Sequence, residues 1–137
     1  MTEINRRKFI KQSSLTLAGA GMVSLLPFES SAQKPTTMFV HHVYFWLKNA
    51  DSKGDKARLL KGLQTLKKIE TIKMSHIGVP ADTNREVIDT SYQLSLLLVF
   101  DNRKDQDTYQ NHPVHLKFVE DCSNLWKKVI VYDSVDA

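Results

Sequence analysis

The chain is poor in residues that staple, punctuate or anchor a fold. It has one cysteine, Cys122, in 137 residues. An intramolecular disulfide is therefore excluded, and Cys122 is expected to be a small buried hydrophobe. Neither a glycine-rich nor an aromatic RNA-binding motif is present, and no internal repeat or low-complexity tract stands out. Long apolar runs are scarce too. The run from Ser13 to Phe28 is diluted by Thr16, Gly19 and Gly21. A permanent membrane anchor takes about 20 strongly apolar residues, so this run is short for one. An excess of positive charge is largely lacking outside the N-terminus. The whole chain has a formal charge of +4 and a pI near 9.2. The first 32 residues hold Arg6, Arg7, Lys8 and Lys11 against Glu3 and Glu29, which leaves 15 basic and 13 acidic residues and a net +2. The remaining basic residues are scattered, so no nucleic-acid partner is expected.

What the N-terminus does contain is an address. Asn5-Arg6-Arg7-Lys8-Phe9-Ile10-Lys11 resembles a twin-arginine export signal, followed by the modest apolar run. Ser30-Ser31-Ala32 supplies the small residues a signal peptidase needs, which predicts a cut after Ala32. Residues 1–32 are thus expected to be a signal peptide, 33–37 a linker and 38–134 the domain. The expected location is periplasmic, with the membrane touched only during export. The mature chain, Gln33 to Ala137, is long enough for one core.

Periodicity then predicts an α+β order. Met38 to Lys48 alternates His42, Tyr44 and Trp46 with Val43, Phe45 and Leu47, as a strand does. Asp51 or Ser52 can cap a helix reaching about Ile69, with Leu59, Leu60, Leu63, Leu66 and Ile69 on one stripe. Thr71–Val79 reads as a second strand and Ala81–Asp89 as a loop. Tyr92–Phe100 is a third strand, apolar on both faces and so covered on both. Asp101 or Asn102 caps a broken helix from Arg103 to about Asn124, and Trp126–Tyr132 is the last strand. The order βαββαβ is that of ferredoxin-like folds, with helices on one face of a four-stranded antiparallel sheet. The other face, expected to carry Val43, Phe45, Leu97 and Val99, would be left in water. This predicts a homodimer with sheets packed face to face.

The break in the second helix carries the chemistry. In Tyr109-Gln110-Asn111-His112-Pro113-Val114-His115, Pro113 lacks an N–H and cannot continue a helix, but fits the first turn of a new one. His112 is expected to cap that new helix or hold the turn. His115 falls in its first turn, where the helix dipole disfavours the imidazolium form. A neutral imidazole near the Tyr109 hydroxyl is a candidate acid–base pair. The competing reading makes His115 a core histidine bonded to backbone and Tyr109 a packing aromatic. His76 on the second strand has no assigned role.

Four segments together resemble the stress-responsive dimeric α/β-barrel (Dabb) domain family. They are His42-Val43-Tyr44-Phe45-Trp46-Leu47-Lys48, Tyr92 to Asp101, Tyr109-x-x-His112-Pro113-x-His115, and Val131-Tyr132-Asp133. The resemblance implies a ferredoxin-like subunit that dimerises through its sheet into a barrel. Most members have no assigned activity. Plant polyketide cyclases of the family use a histidine and a tyrosine as acid–base residues in a pocket between sheet and helices. Matched by motif, these fall on His115 and Tyr109, and the early strand histidine on His42. A further pocket histidine of those cyclases corresponds to Leu94. The pocket is expected to involve His42, Tyr44, Leu60 and Leu63, together with Leu96, Phe118 and Trp126.

No cofactor is expected. His112, His115 and His42 could in principle supply three nitrogens to a metal, but the proline break aims the two helical histidines apart, and no cysteine or carboxylate stands at ligand spacing. Two functions follow. One is an exported stress-response domain of unassigned activity that binds a small apolar ligand. The other is a cofactor-independent cyclase or lyase acting on a carbonyl compound, with His115 as general base and Tyr109 as proton donor. A cavity open to both Tyr109 and His115 permits the second.

Overall fold

The structure, a computed structural model, describes residues 37–137. The expected signal peptide lies outside the described residues. Four strands and three helices follow the expected order: β1 (Phe39–Leu47), α1 (Lys53–Leu66), β2 (Met74–Gly78), β3 (Leu94–Phe100), α2 (Arg103–Gln110), α3 (Pro113–Cys122) and β4 (Trp126–Val135). A single 3-10 turn, Ser123–Leu125, joins α3 to β4. The sheet is antiparallel, in the order β2-β3-β1-β4. This is a ferredoxin-like sheet with its helices on one face.

Local chemistry sets the element ends. Ser52 caps α1, its hydroxyl accepting the Asp55 N–H at 3.1 Å. Asn102 caps α2 in the same way through Asp105. These side chains satisfy N–H groups that a helix start leaves without partners. The second helix divides where proline requires. His112 is extended, Pro113 occupies the first turn of α3, and the Val114 N–H donates to His112 Nδ1 at 3.1 Å. His112 is therefore a cap.

Leu59, Leu63 and Leu66 on α1, Phe118 and Cys122 on α3, and Phe39, Val43, Phe45, Leu94, Leu96, Leu98 and Phe100 on the sheet make one core. Gly62 lets α3 approach α1. A Cβ there would meet Cys122 Sγ at 2.6 Å and Phe118 Cδ2 at 3.0 Å.

The strand faces correct one expectation. Phe39, His41, Val43, Phe45 and Leu47 of β1 are buried, and the residues between them are only partly so. Val43 pairs with Leu96, and His42 with Leu97. Val43 and Phe45 therefore point to the helices and not to the open face. The open face carries Val40, His42, Tyr44 and Trp46, with Leu97 and Val99 as expected. The physical reason is the strand period of two, under which a one-residue error in parity exchanges the faces.

Candidate active site

A cleft of about 390 Å³ opens between the sheet and the α2–α3 pair. Its apolar walls come from Val43 and Phe45 of β1, Leu96 of β3, Phe118 and Val119 of α3, and Trp126, Val129 and Val131 of β4. Its polar groups are His41, Tyr109, Gln110, His115 and Asp133. β4 is an edge strand, and Val129 and Val131 remain about half exposed where the cleft meets solvent.

Each polar group is held by a particular element. Tyr109 ends α2 and is 1% exposed, packed against Phe100 and His115. The Tyr109 and His115 ring centroids are 4.7 Å apart. His115 stands on the first turn of α3 with Nδ1 2.9 Å from the Gln110 carbonyl. A carbonyl only accepts, so Nδ1 carries the proton and Nε2 is left with a free lone pair. Burial lowers the His115 pKa, the Gln110 bond partly opposes this, and nearby His41 lowers it further. Neutral imidazole is thus favoured. Burial raises the Tyr109 pKa, so the phenol keeps its proton at neutral pH. One residue is set up to accept a proton and its neighbour to hold one.

A third group joins them. His41 and Asp133 are register partners on β1 and β4, with His41 Nδ1 2.6 Å from Asp133 Oδ1. The His41 ring meets Tyr109 edge-on at 5.8 Å. A carboxylate on Nδ1 orients an imidazole and leaves Nε2 as its other functional nitrogen. The polar end of the cleft therefore joins β1, α2, α3 and β4.

The expected site residues divide accordingly. His115, Tyr109, Leu96, Phe118 and Trp126 line the cleft. His42 and Tyr44 do not. They lie on the open sheet face, where Tyr44 Oη is 3.2 Å from His42 Nδ1. Leu63 is fully buried beneath α1, and Leu60 packs partly buried against the core. The strand histidine of the cleft is His41, a residue the sequence reading passed over for its neighbour. His41 shares its strand face with Val43, Phe45 and Leu47, but parity alone does not say which face the helices cover. Asp133 belongs to the Val131-Tyr132-Asp133 segment, and nothing local in sequence marks it as a partner of His41. Leu94 is buried in the core.

The comparisons with known proteins agree on this fold. The family model of the stress responsive A/B barrel domain matches residues 39–136. No curated protein matches the chain. A Dabb family protein with a ferredoxin-like fold from Mesorhizobium loti is 24% identical, with 74% of this chain and 98% of that one covered at a TM-score of 0.62. A dimeric protein of unknown function from Bacteroides fragilis, also ferredoxin-like, is 21% identical over 72% and 96%, at a TM-score of 0.56. Hydroxynitrile lyase from Passiflora edulis is 18% identical over 75% and 96%, at a TM-score of 0.62. At such identities these likenesses speak for the fold alone.

Proposed function

This chain belongs to the stress responsive A/B barrel domain family, and on that premise we propose that it is an exported homodimer binding a small, mostly apolar ligand in the cleft. The carrying observation is the cleft itself, with apolar walls and a polar end, the usual form of a small-molecule site. Homodimerisation is supported by similar solved structures described as dimeric. The apolar and aromatic residues of the open sheet face support that face as the interface. Export rests on the twin-arginine pattern of residues 5–11 and the small residues before Gln33.

A second reading has its own support. The Tyr109–His115 pair, with His41–Asp133 beside it, has the geometry for acid–base chemistry without a cofactor. On a carbonyl compound, His115 Nε2 would take an α-proton while the Tyr109 phenol donates to the developing enolate oxygen; on a cyanohydrin, Nε2 would take the hydroxyl proton as the C–CN bond breaks to a carbonyl compound and cyanide, which leaves as HCN with that proton. A hydroxynitrile lyase shares the fold.

The test is a thermal-shift and native mass-spectrometric screen of mature Gln33–Ala137 with aromatic and alicyclic aldehydes, ketones and cyanohydrins. Compounds that stabilise the protein should lose binding in His115→Ala and Tyr109→Phe, each folded to within about 1 kcal/mol of the parent. Turnover of a bound compound, abolished in both variants, would establish the enzyme. Binding that neither variant alters would place the ligand outside this cleft.

A further inference from the structure

The open sheet face carries two histidines that the cleft does not use. Register aligns His76 of β2, Leu97 of β3, His42 of β1 and Tyr132 of β4 in one row across the sheet. The flanking rows hold Met74, Val99, Val40 and Ser134 on one side, and Gly78, Ser95, Tyr44 and Ile130 on the other. His42 therefore sits inside an apolar and aromatic face, and His76 is exposed on its edge strand β2. They are two strands apart, or roughly 10 Å.

The surroundings favour the neutral form of His42. The His42 ring lies 4.4 Å from that of Tyr44, whose hydroxyl is 3.2 Å from His42 Nδ1. The hydroxyl donates to Nδ1 of a neutral ring protonated on Nε2 and would accept from Nδ1 of an imidazolium, so this bond holds the ring in place in either form. From β1 the titratable neighbours of His42 are Tyr44 and, through the sheet, His41. From β2 there is His76, and from β3 none, since its open-face residues are Ser95, Leu97 and Val99. From β4 there are Tyr132 and Lys128. The loop before β3 contributes Tyr92 and Asp89 at the end of the face beside Trp46. Asp89 is already bonded to Ser91, and Asp136 to the Met38 amide. Beside His76 the strand offers only Met74 and Gly78. Among the described residues, no carboxylate lies in the histidine row. Burial is the main cause that lowers the His42 pKa, with His76 and His41 adding to it.

We propose that this row makes the dimer pH-sensitive, so that protonation of His42 and His76 separates the two sheets. The inference rests on the sheet-to-sheet dimer proposed above. Two copies face to face bring four imidazoles into one interface. Neutral rings can be buried there, but imidazoliums would be desolvated without a counter-charge and would repel one another. The monomer then binds more protons than the dimer, so association is favoured above the histidine range and lost as pH falls through it. An exported protein meets the pH of its surroundings, where such a response has use.

Sedimentation equilibrium of mature Gln33–Ala137 tests this at about pH 7.5 and about pH 5, with far-UV circular dichroism recorded alongside. The expected result is a dimer at the higher pH whose dissociation constant rises roughly 100-fold or more at the lower, with secondary structure unchanged. The double variant His42→Gln/His76→Gln should dimerise at both. A monomer at the higher pH overturns the dimer reading and this inference with it. A pH-independent dissociation constant overturns the inference alone, as does dissociation that the double variant retains or that accompanies unfolding.

Discussion

His115 ties the chemistry of the cleft to the stability of the fold. Burial holds its folded pKa below the ordinary value of 6.5. In the unfolded chain the ring returns to that value, so the unfolded state binds more protons as the medium is acidified. The contribution of neutral His115 to stability is therefore complete above the ordinary value and is lost as pH falls through the folded one. Urea unfolding of His115→Gln should show a shallower loss of stability between about pH 7 and pH 5 than the parent. Equal slopes would mean that folding leaves the ring's pKa unshifted, so that burial does not hold it neutral. Asp133 lines the cleft and also orients His41 through the bond to Nδ1. Its exposed carboxylate also leaves that pair open to solvent at one side.

At the scale of elements, the α1–α3 contact decides how the cleft is shaped. α3 carries His115 and Phe118, and it reaches the core because Gly62 presents no side chain to Cys122 and Phe118. Gly62→Ala gains helix propensity, about 1 kcal/mol in its favour. It also puts a methyl into contacts of 2.6 and 3.0 Å. Overpacking of this kind costs about 1–3 kcal/mol, so the net effect should be destabilising. Thermal denaturation should show a lower midpoint for Gly62→Ala, and a midpoint at or above the parent's would mean that α3 shifts freely. The helix starts were legible because capping is local chemistry: Ser52, Asn102 and His112 accept from amides within three residues, whereas α1 ends at Leu66 and not near Ile69. The strand ends were less so. β2 begins at Met74 and not Thr71, and β4 runs on past Tyr132 to Val135, where pairing with β1 continues. Pairing partners lie far off in sequence, so a strand read alone does not show where its ladder stops.

At the scale of the whole molecule, the proposed export is added to folding. The pattern around Arg6 and Arg7 resembles an export address read by a receptor, and guanidinium is not interchangeable with ammonium where planar donors are recognised. Replacing both arginines by lysine should abolish periplasmic accumulation while the domain still folds in the cytoplasm. Cell fractionation checks this, and N-terminal sequencing of the exported parent should begin at Gln33. Unchanged periplasmic yield from the double variant would remove the twin-arginine route.

Periodicity, capping and the proline break were sufficient for the βαββαβ order, the helix starts and the meeting of Tyr109 with His115, because each depends on residues close in sequence. Tertiary structure alone decided which face of β1 meets the helices. A strand with His41 and His42 side by side is amphipathic in either parity, and only pairing Val43 with Leu96 beneath α1 and α3 selects His41 for the cleft and His42 for the open face. It also decided the partner of His41. Asp133 stands 92 residues away, and the two meet because antiparallel register between the first and last strands places them opposite one another.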